Sequence, residues 1–327
     1  MDLTIITVPW NVKDLVRENF NAIFSPLIPS PSPTSAEVGE GSFEFEVFAV
    51  DNDSHDGTVE MIREEFSQVK VIANKINLGF AKANNQAIRQ ASGRYILLLN
   101  PDMRVLPGTL ENMVRWMDAH QEAGVAGCHL INDEGETVHQ VRRFPTIWDQ
   151  LAIVLKLPHL FPIVLNKYLM HDFDYSKEAE VDSIRGSFFM IRNTIVVTSP
   201  QPSPLEGEGE SDRNVETRFI ASPLQLDERY FIWFEEVDFC RQIKNKGLKI
   251  MYTPVVQCID HVGKSFSQVK RGITQRYFRD SMLKYFKKWH PIWQYRILYL
   301  AWPVGIFLAW MGDQLKLKVY KVIKFVK

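Results

Sequence analysis

The stretch that decides the fold is Tyr95-Ile96-Leu97-Leu98-Leu99-Asn100-Pro101-Asp102. Its first five residues form a continuous apolar run, which is typical of a strand buried on both faces of a sheet. Asn-Pro then indicates a turn, because the fixed φ of proline and the polar side chain of asparagine favour a change of chain direction. The stretch therefore predicts a buried strand over Tyr95–Leu99 whose carboxyl end is followed by the acid Asp102.

Similar apolar runs recur on both sides of this strand and alternate with helical patterns. The predicted strands are Leu3–Val8, Glu46–Val50, Val69–Ala73, Val125–Ile131 and Leu248–Thr253. The predicted helices are Val59–Phe66, Phe80–Ala91, Pro107–His120 and Glu235–Lys246. This alternation predicts an α/β fold with a mostly parallel, Rossmann-like sheet that is flanked by helices. Ligands of such sheets bind at the carboxyl ends of the strands, where the polar loops after Val50 and Leu99 fall.

The composition describes a globular chain with an uneven distribution of charge. With 327 residues, of which 46% are apolar, the chain can bury one large core. A formal net charge of −1 gives no general reason to expect a nucleic-acid partner. Residues 264–327 nevertheless contain 14 Lys or Arg and only two acids, Asp280 and Asp313. This excess predicts a negatively charged partner for that end of the chain.

The cysteines and the first residues bear on the cellular compartment. Cys128, Cys240 and Cys258 show no CxxC spacing, and an odd number of thiols fits a reduced, cytosolic protein better than a disulfide framework or a zinc site. The chain begins with Met1-Asp2, so an acid stands where a signal peptide would carry basic residues. We therefore expect the α/β part of the chain to stay inside the cell.

Two segments interrupt the α/β pattern. Residues 26–43 and 199–218 each combine a Pro/Ser stretch with Glu and Gly, a composition that cannot bury enough apolar surface to fold. We predict that both are disordered insertions, and a short interaction motif is the alternative. The α/β domain would then span residues 1–265, followed by a basic and apolar helical region over residues 266–327.

The C-terminal region combines an apolar run with a basic end. Ile297–Met311 is apolar, interrupted by Pro303 and Gly305, but a membrane span needs about twenty residues, so this run is short for one. Further on, apolar residues fall on one helical face and lysines lie elsewhere. We predict peripheral attachment to the inner face of the cell membrane, where anionic headgroups attract such a helix. The alternative is a set of helices that cover the core and leave their lysines in water.

Two acids and a histidine lie at the ends of predicted strands. Asp102 can coordinate a hard divalent cation, which in turn neutralises a diphosphate. Asp51 follows Val50, and a carboxylate there can accept hydrogen bonds from the ribose or base of a nucleotide. A turn or a helix cap is the alternative for both. His261 is a candidate metal ligand only if the fold brings it to Asp102.

The segment Asn77-Leu78-Gly79-Phe80-Ala81-Lys82-Ala83-Asn84-Asn85 opens a predicted helix. Free backbone N–H groups and the helix dipole at such an end favour an anion. Lys82 stands where it can reach a phosphate, although a single surface lysine usually has no such role.

A second acidic group follows Trp233-Phe234. Glu235, Glu236 and Asp238 stand within four consecutive positions beside apolar residues, and carboxylates crowded in an apolar setting have raised pKa values. One of them can act as a general base toward a hydroxyl group. The alternative is an acidic first turn of a helix, where such residues interact favourably with the dipole.

In order and spacing these motifs resemble glycosyltransferase family 2, which has the GT-A fold, and within it the bacterial rhamnosyltransferase-like branch that builds surface polysaccharides. The likeness covers roughly residues 1–270. The stretches that carry it are Val50–Thr58, Asn77–Asn85, Leu98–Asp102, Arg185-Gly186-Ser187, Leu226–Phe231, Glu235–Cys240 and His261.

The resemblance implies an inverting transferase that uses a nucleotide diphosphate sugar, a glycan or lipid-linked acceptor, and Mg²⁺ or Mn²⁺. Asp51 would hold the nucleoside, Asp102 corresponds to the last acid of the DxD-like motif, and His261 would complete the metal site. Glu236 stands in the position of the family's catalytic base. All four should line one cleft. The further residues implied are Glu235 and Asp238 for catalysis, and Asn77, Gly79, Lys82, Asn85, Asn100, Arg185 and Gly186 for the nucleotide sugar.

Three residues depart from the family pattern. Glu236 stands where the family has aspartate, Asn100 replaces the first acid of DxD, and Pro9 lacks a backbone donor near the nucleotide. A catalytically silent sugar-nucleotide binder is therefore an alternative. A nucleotidyltransferase is less well supported, because Val8-Pro9-Trp10-Asn11 is not a Gly-rich phosphate loop. Specificity for sugar and acceptor is expected from loops, among them Arg142–Asp182.

Overall fold

The structure is a computed structural model that describes residues 1–25, 42–196, 224–261 and 271–314. Its strands are β1 (Leu3–Thr7), β2 (Phe45–Asp51), β3 (Lys70–Ala73), β4 (Tyr95–Leu99), β5 (Met103–Val105), β6 (Ala123–Ile131), β7 (Val141–Arg142), β8 (Ala179–Val181), β9 (Ser183–Ile184), β10 (Phe188–Arg192) and β11 (Lys249–Asp260). Its α-helices are α1 (Lys13–Phe24), α2 (Thr58–Glu65), α3 (Phe80–Ile88), α4 (Thr109–Ala119), α5 (Ile147–Val154), α6 (Asn166–Leu169), α7 (Glu235–Asn245), α8 (Arg271–Trp289) and α9 (Ile292–Gln314).

One sheet of nine strands organises the α/β part, in the order β3-β2-β1-β4-β10-β6-β11-β5, with β8 paired to β11. The strands β3, β2, β1 and β4 are mutually parallel, and β6 is parallel to β11. Between the two parallel groups lies β10, which is antiparallel to both of its neighbours. The strands β7 and β9 form a separate two-stranded ribbon. The prediction of a mixed α/β fold with a mostly parallel sheet is confirmed.

Apolar clusters cover both faces of the sheet, which explains the continuous apolar run in β4. Leu97 and Leu99 pack into one cluster with residues of α1, α2 and α4. Leu98 and Ile96 pack into the other, with residues of α3 and α7. Because side chains of a strand alternate between faces, a strand that is covered on both sides must be apolar at every position.

Several elements differ from the sequence-based expectation, and three of them shape the sheet or cover it. The structure contains α1, whose buried residues Val16, Phe20 and Ile23 recur at helical spacing, and the antiparallel strand β10. The predicted strand Leu248–Thr253 continues to Asp260, with an irregularity in its pairing to β6 between Tyr252 and Gln257. Pro254 lies within this irregular part, and the strand still reaches the carboxyl edge of the sheet.

The C-terminal helices pack against the α/β part through a third apolar cluster. Met282 and Phe286 of α8 and Leu298 of α9 lie there with Phe234 and Val237, at the start of α7. The apolar run Ile297–Met311 therefore belongs to a longer helix. Within the part of the chain that the structure describes, no helix is long and apolar enough to cross a membrane. The basic end after residue 314 lies outside the described residues, as do the predicted insertions apart from residues 42–43.

Candidate functional site

Asp51 ends β2 at the carboxyl edge of the sheet and is buried. Its Oδ2 accepts a hydrogen bond from the backbone N–H of Ser54 at 2.9 Å, which fixes the carboxylate. Its Oδ1 is also buried but has no hydrogen-bond partner among the described residues. Burial raises the pKa of this carboxyl group. A buried acceptor without a donor is costly, so the position suits a hydroxyl or N–H of a ligand.

Close contact between Gly79 and the chain before α7 fixes the loop at the start of α3. Gly79 has a φ of +81°, and a Cβ at this position would collide with the carbonyl oxygen of Phe231. The N–H of Phe80 donates to the same oxygen at 2.7 Å. Both the left-handed conformation and the contact therefore require glycine. The loop joins the edge of the sheet near Asp51 to the segment that carries the second group of acids.

The polar residues of this loop have mainly structural partners. The side chain of Asn77 accepts a hydrogen bond from the N–H of Gly79 at 2.9 Å. Asn85 is buried and bonds to the backbone of Leu226 in both directions, at 2.8 and 3.2 Å. Lys82 is exposed on the first turn of α3. The two asparagines thus shape the loop and hold the segment after residue 224 in place.

Asp102 and His261 lie together although they are distant in sequence. The backbone N–H of His261 donates to the carbonyl oxygen of Asp102 at 3.1 Å, which continues the antiparallel pairing of β11 with β5. The Oδ1 of Asp102 and the Nε2 of His261 are both buried without a hydrogen-bond partner among the described residues. Asp133 lies 2.8 Å from the Nδ1 of His261 and orients the ring, which leaves Nε2 for a ligand.

The side chains of Asp102 and His261 fit a divalent cation. A carboxylate oxygen and an imidazole nitrogen are both ligands of first-row metals, and Mg²⁺ is commonly bound by one or two carboxylates together with substrate phosphates. Over the described ranges, no group of three or more His, Cys, Asp or Glu could hold a metal ion.

Arg185 lies near this pair and near the acids of α7. Its Nη1 is 3.5 Å from the Oδ2 of Asp260, and its guanidinium also interacts with the charges of Asp102 and Glu236. Burial raises the pKa of Asp260 to about 6, and the charge of Asp102 adds to the rise while Arg185 opposes it. The sequence-based prediction omitted Asp260, although the acid directly before His261 at the end of the last strand was a usable signal. A guanidinium in this place can receive a diphosphate.

Glu236 stands in the first turn of α7, next to Gly186. A Cβ on Gly186 would lie 3.7 Å from the Cβ of Glu236, so the turn before β10 passes close to this carboxylate. Burial raises the pKa of Glu236, whereas the charges of Arg142 and Arg185 lower it. Its Oε2 is buried and has no hydrogen-bond partner among the described residues. A carboxylate in this state can accept a proton from a hydroxyl group.

The two other predicted catalytic acids of α7 differ from Glu236 in their surroundings. Glu235 is 4% exposed, and burial followed by the charge of Glu236 raises its pKa well above the usual range. Asp238 is directed toward α8, where it accepts hydrogen bonds from the Nζ of Lys288 at 2.7 Å and from the indole of Trp289. The structure therefore joins Asp238 to the C-terminal helices and leaves Glu236 beside Arg185.

A cavity of about 260 Å³ adjoins Glu236. Its walls are mainly apolar and aromatic, and its polar groups include Arg142, His171 and Glu236. Arg142 was not among the predicted site residues, but it begins the segment that was expected to determine specificity. Glu236 lines this cavity and also lies in the group around Arg185, which includes Asp102. A molecule in the cavity and a molecule beside Asp102 would therefore reach the same carboxylate.

Pro9 and Asn100, two of the residues that depart from the family pattern, form backbone hydrogen bonds at the carboxyl edge of the sheet. The carbonyl oxygen of Pro9 accepts from the N–H of Asn52 at 2.9 Å. The N–H of Asn100 donates to the carbonyl oxygen of Ser187, also at 2.9 Å. Both residues thus take part in the backbone hydrogen bonds at this edge of the sheet.

Comparison with known sequences gives a consistent set of relatives. The sequence profile of the family described as Glycosyl transferase family 2 matches residues 5–190. The rhamnosyltransferase WbbL of Escherichia coli is 25% identical over 200 residues, which are 58% of this chain and 64% of that protein. An N-acetylglucosaminyl-diphospho-decaprenol L-rhamnosyltransferase of Mycobacterium tuberculosis is 21% identical over 232 residues, 67% of each protein. The chain thus spans about two thirds of the length of these two relatives.

Two solved structures share the fold. The mannosyltransferase PcManGT of Pyrobaculum calidifontis, in complex with GDP-Man and Mn²⁺, superposes with a TM-score of 0.52 at 18% identity, covering 98% of this chain and 81% of that one. TarS 1-349 of S. aureus, in complex with UDP-GlcNAc, superposes with a TM-score of 0.50 at 14% identity, covering 88% and 67%. The fold is therefore of the GT-A type, as the sequence motifs predicted.

Proposed function

The chain belongs to glycosyltransferase family 2, and from this membership we propose that it transfers a sugar from a nucleotide diphosphate to a hydroxyl of a glycan or lipid-linked acceptor, in the synthesis of a cell-surface polysaccharide. The observation that carries the proposal is the place of Glu236. Its Oε2 is buried and has no hydrogen-bond partner among the described residues, and the side chain lies beside Arg185 and lines a cavity.

The donor half of the proposed site uses the edge of the sheet. Asp51 accepts hydrogen bonds from the nucleoside through its buried Oδ1. Asp102 and His261 hold the divalent cation, Mg²⁺ or Mn²⁺, which neutralises charge on the departing diphosphate when it is bound. Arg185 binds the same diphosphate through its guanidinium. The solved mannosyltransferase structure contains GDP-Man and Mn²⁺, which supports this type of donor and cofactor.

The acceptor half supplies the base for a single in-line displacement. The acceptor hydroxyl lies in the cavity beside Glu236, whose Oε2 takes its proton. The acceptor oxygen forms a bond to the anomeric carbon while the bond from that carbon to the diphosphate oxygen breaks, and the nucleotide diphosphate leaves with the electron pair. The configuration at the anomeric carbon inverts, through an oxocarbenium-like transition state.

We propose rhamnose as the donor sugar, because two relatives are named rhamnosyltransferases. For the place of reaction we propose the cytoplasmic face of the cell membrane. The excess of basic residues over acids in residues 264–327 supports peripheral attachment there.

The experiment that tests the function has a binding part and a transfer part. UDP-, GDP- and dTDP-sugars are screened by thermal shift with and without Mn²⁺, and the donor that binds is then offered to acceptors with wild type, Glu236→Gln and Glu236→Asp. We expect metal-dependent binding by all three proteins, and a loss of transfer by about 10²–10⁴-fold in Glu236→Gln. If the wild type binds a donor but Glu236→Gln transfers sugar equally well, the assignment of the base is wrong.

The departure at position 236 favours one alternative function, a sugar-nucleotide binder without activity. Glutamate is longer than the aspartate of the family by one methylene, and misplacement of a base by about 1 Å is costly in rate. Under this alternative the wild type binds its donor without transferring the sugar, and Glu236→Asp gains activity.

A further inference from the structure

Between α5 and α6 the chain exposes a group of large apolar side chains. Leu160, Phe161 and Ile163 are 69%, 61% and 76% exposed. Two short 3₁₀ turns, Leu157–His159 and Pro162–Leu165, shape this loop. Single exposed apolar residues are normal on a protein surface, but a contiguous group indicates a surface that binds something.

The helix α9 exposes a second apolar group, arranged as a stripe. The residues recur every three or four positions and are all exposed, Leu300 most of all at 71%. They are Trp293, Ile297, Leu300, Val304 and Leu308. This spacing places them on one face of the helix. Leu298 is buried in the cluster that joins α9 to α8 and α5, so the stripe faces away from the packed side.

The loop begins close to α9, the helix that carries the stripe. Gly305 packs so tightly on the end of α5 that a Cβ at this position would collide with the carbonyl group of Val154. The apolar loop begins at Leu157, three residues after Val154, and three residues of chain span at most about 10 Å. The loop therefore starts beside the point where α9 crosses α5.

The charges around these groups favour an anionic partner. Between Asp149 and Asp172 the chain contains Lys156 and Lys167 but no acid. Arg296 is exposed on α9, and residues 292–327 contain six Lys or Arg and one acid, Asp313. Exposed apolar residues together with basic ones are typical of a surface that lies in the headgroup region of an anionic bilayer.

We propose that the loop 157–165 and the stripe of α9 form one membrane-docking surface, which enters the headgroup region of an anionic bilayer. Ile163 belongs to this loop and also lines the cavity beside Glu236. The cavity therefore opens next to the bilayer, and the acceptor is an amphiphile that is taken from the membrane. The second conclusion rests on the proposed function, whereas the docking surface itself does not.

The docking surface is tested by co-sedimentation of the full chain with vesicles. Vesicles of phosphatidylglycerol and phosphatidylethanolamine are compared with vesicles of phosphatidylcholine alone, without any sugar donor. We expect wild type to bind the anionic vesicles at least tenfold more tightly. The triple variant Leu160→Ser, Phe161→Ser, Ile163→Ser should lose at least tenfold in binding to the anionic vesicles, and the α9 variant Leu300→Ser, Val304→Ser should lose binding as well.

The control is Val255→Ser, which replaces a residue that is 54% exposed on β11 and should bind vesicles like wild type. Circular dichroism and thermal melting establish that each variant is folded. The proposal is overturned if the triple variant sediments like wild type. It is also overturned if wild type is a dimer without vesicles and the triple variant is a monomer, because a second copy would then cover this face. Since no donor is present, failure of the transferase function leaves the result unaffected.

Discussion

The backbone N–H of His261 donates a hydrogen bond of 3.1 Å to the carbonyl oxygen of Asp102. This bond places the end of the last strand beside the turn after β4. The Oδ1 of Asp102 and the Nε2 of His261 are both buried without a hydrogen-bond partner among the described residues. The backbone thus fixes the relative position of the two residues at the edge of the sheet.

Replacement of Asp102 by Asn should remove the effect of Mn²⁺ on donor binding. An amide is a weaker ligand for a hard cation than a carboxylate, so we expect activity to fall by on the order of 10²–10³-fold, equivalent to several kcal/mol. Isothermal titration with the nucleotide diphosphate, with and without Mn²⁺, measures the change directly. Glu64→Gln, an exposed acid on α2, is the control and should bind as wild type does. Metal-dependent binding that persists in Asp102→Asn would contradict the assignment.

The activity should depend on pH through Glu236. A base acts only when deprotonated, so activity falls as the pH drops below the raised pKa of this carboxyl group. Arg142 lowers that pKa, and Arg142→Gln should therefore move the acid limb of kcat/KM to higher pH. The loss of activity is then largest at low pH and small at high pH.

The control for this pH profile is Arg143→Gln, which removes a neighbouring exposed arginine and should leave the acid limb unchanged. A uniform loss of activity at every pH in Arg142→Gln would indicate that Arg142 contributes to substrate binding alone.

Gly79→Ala should destabilise the protein far more than a glycine substitution that meets no neighbour. The added Cβ collides with the carbonyl group of Phe231 at a φ of +81°, so we expect a loss of about 3 kcal/mol or more in the free energy of unfolding. Gly135 has a φ of +80° with nothing within 4 Å, and Gly135→Ala should cost only about 1 kcal/mol. Chemical denaturation measures both. Equal losses of stability in the two variants would mean that the positive φ alone, and not the contact with Phe231, explains why position 79 requires glycine.

Asp238→Asn should lower stability without a matching loss of catalysis. The variant replaces the buried carboxylate that pairs with Lys288 by a neutral amide, while Lys288 keeps its second pair with Asp227 at 2.9 Å. We therefore expect a loss of stability below the roughly 3–5 kcal/mol that breaking a fully buried ion pair costs. We expect a lower Tm, with kcat within about twofold of wild type below the melting range. Asp280→Asn breaks only exposed pairs on α8 and should change stability by no more than about 1 kcal/mol. A thousandfold loss of kcat in folded Asp238→Asn would instead make Asp238 part of the catalytic machinery.

Local sequence pattern was sufficient for the parts of the fold whose cause is local. The run Tyr95–Leu99 forms a strand with the predicted bounds, because a strand between two covered faces must be apolar throughout. The strand β10 was missed, since its apolar residues Phe188–Ile191 are compatible with several elements and only pairing with β4 and β6 decides among them.

The candidate site also contains some residues that local sequence pattern predicts and others that it does not. Asp51 and Asp102 could be predicted, since each follows directly after a buried strand. The position of Arg142 beside Glu236 could not, because it depends on how the ribbon of β7 and β9 packs near α7. The role of Asp238 also depends on a distant partner, Lys288, which no spacing in the sequence indicates.

The reversed strand β10 has a consequence for how such a chain can be altered. Because it runs opposite to β4, the turn that precedes it, with Arg185, reaches the same edge as the turn that follows β4. The bond from Asn100 to Ser187 joins the two turns. The segments that carry Asp102 and Arg185 therefore share one hydrogen-bonded ladder, and a chimera that exchanges either segment alone inherits a mismatch there. A shift of one residue in that ladder would turn each side chain of β10 to the opposite face.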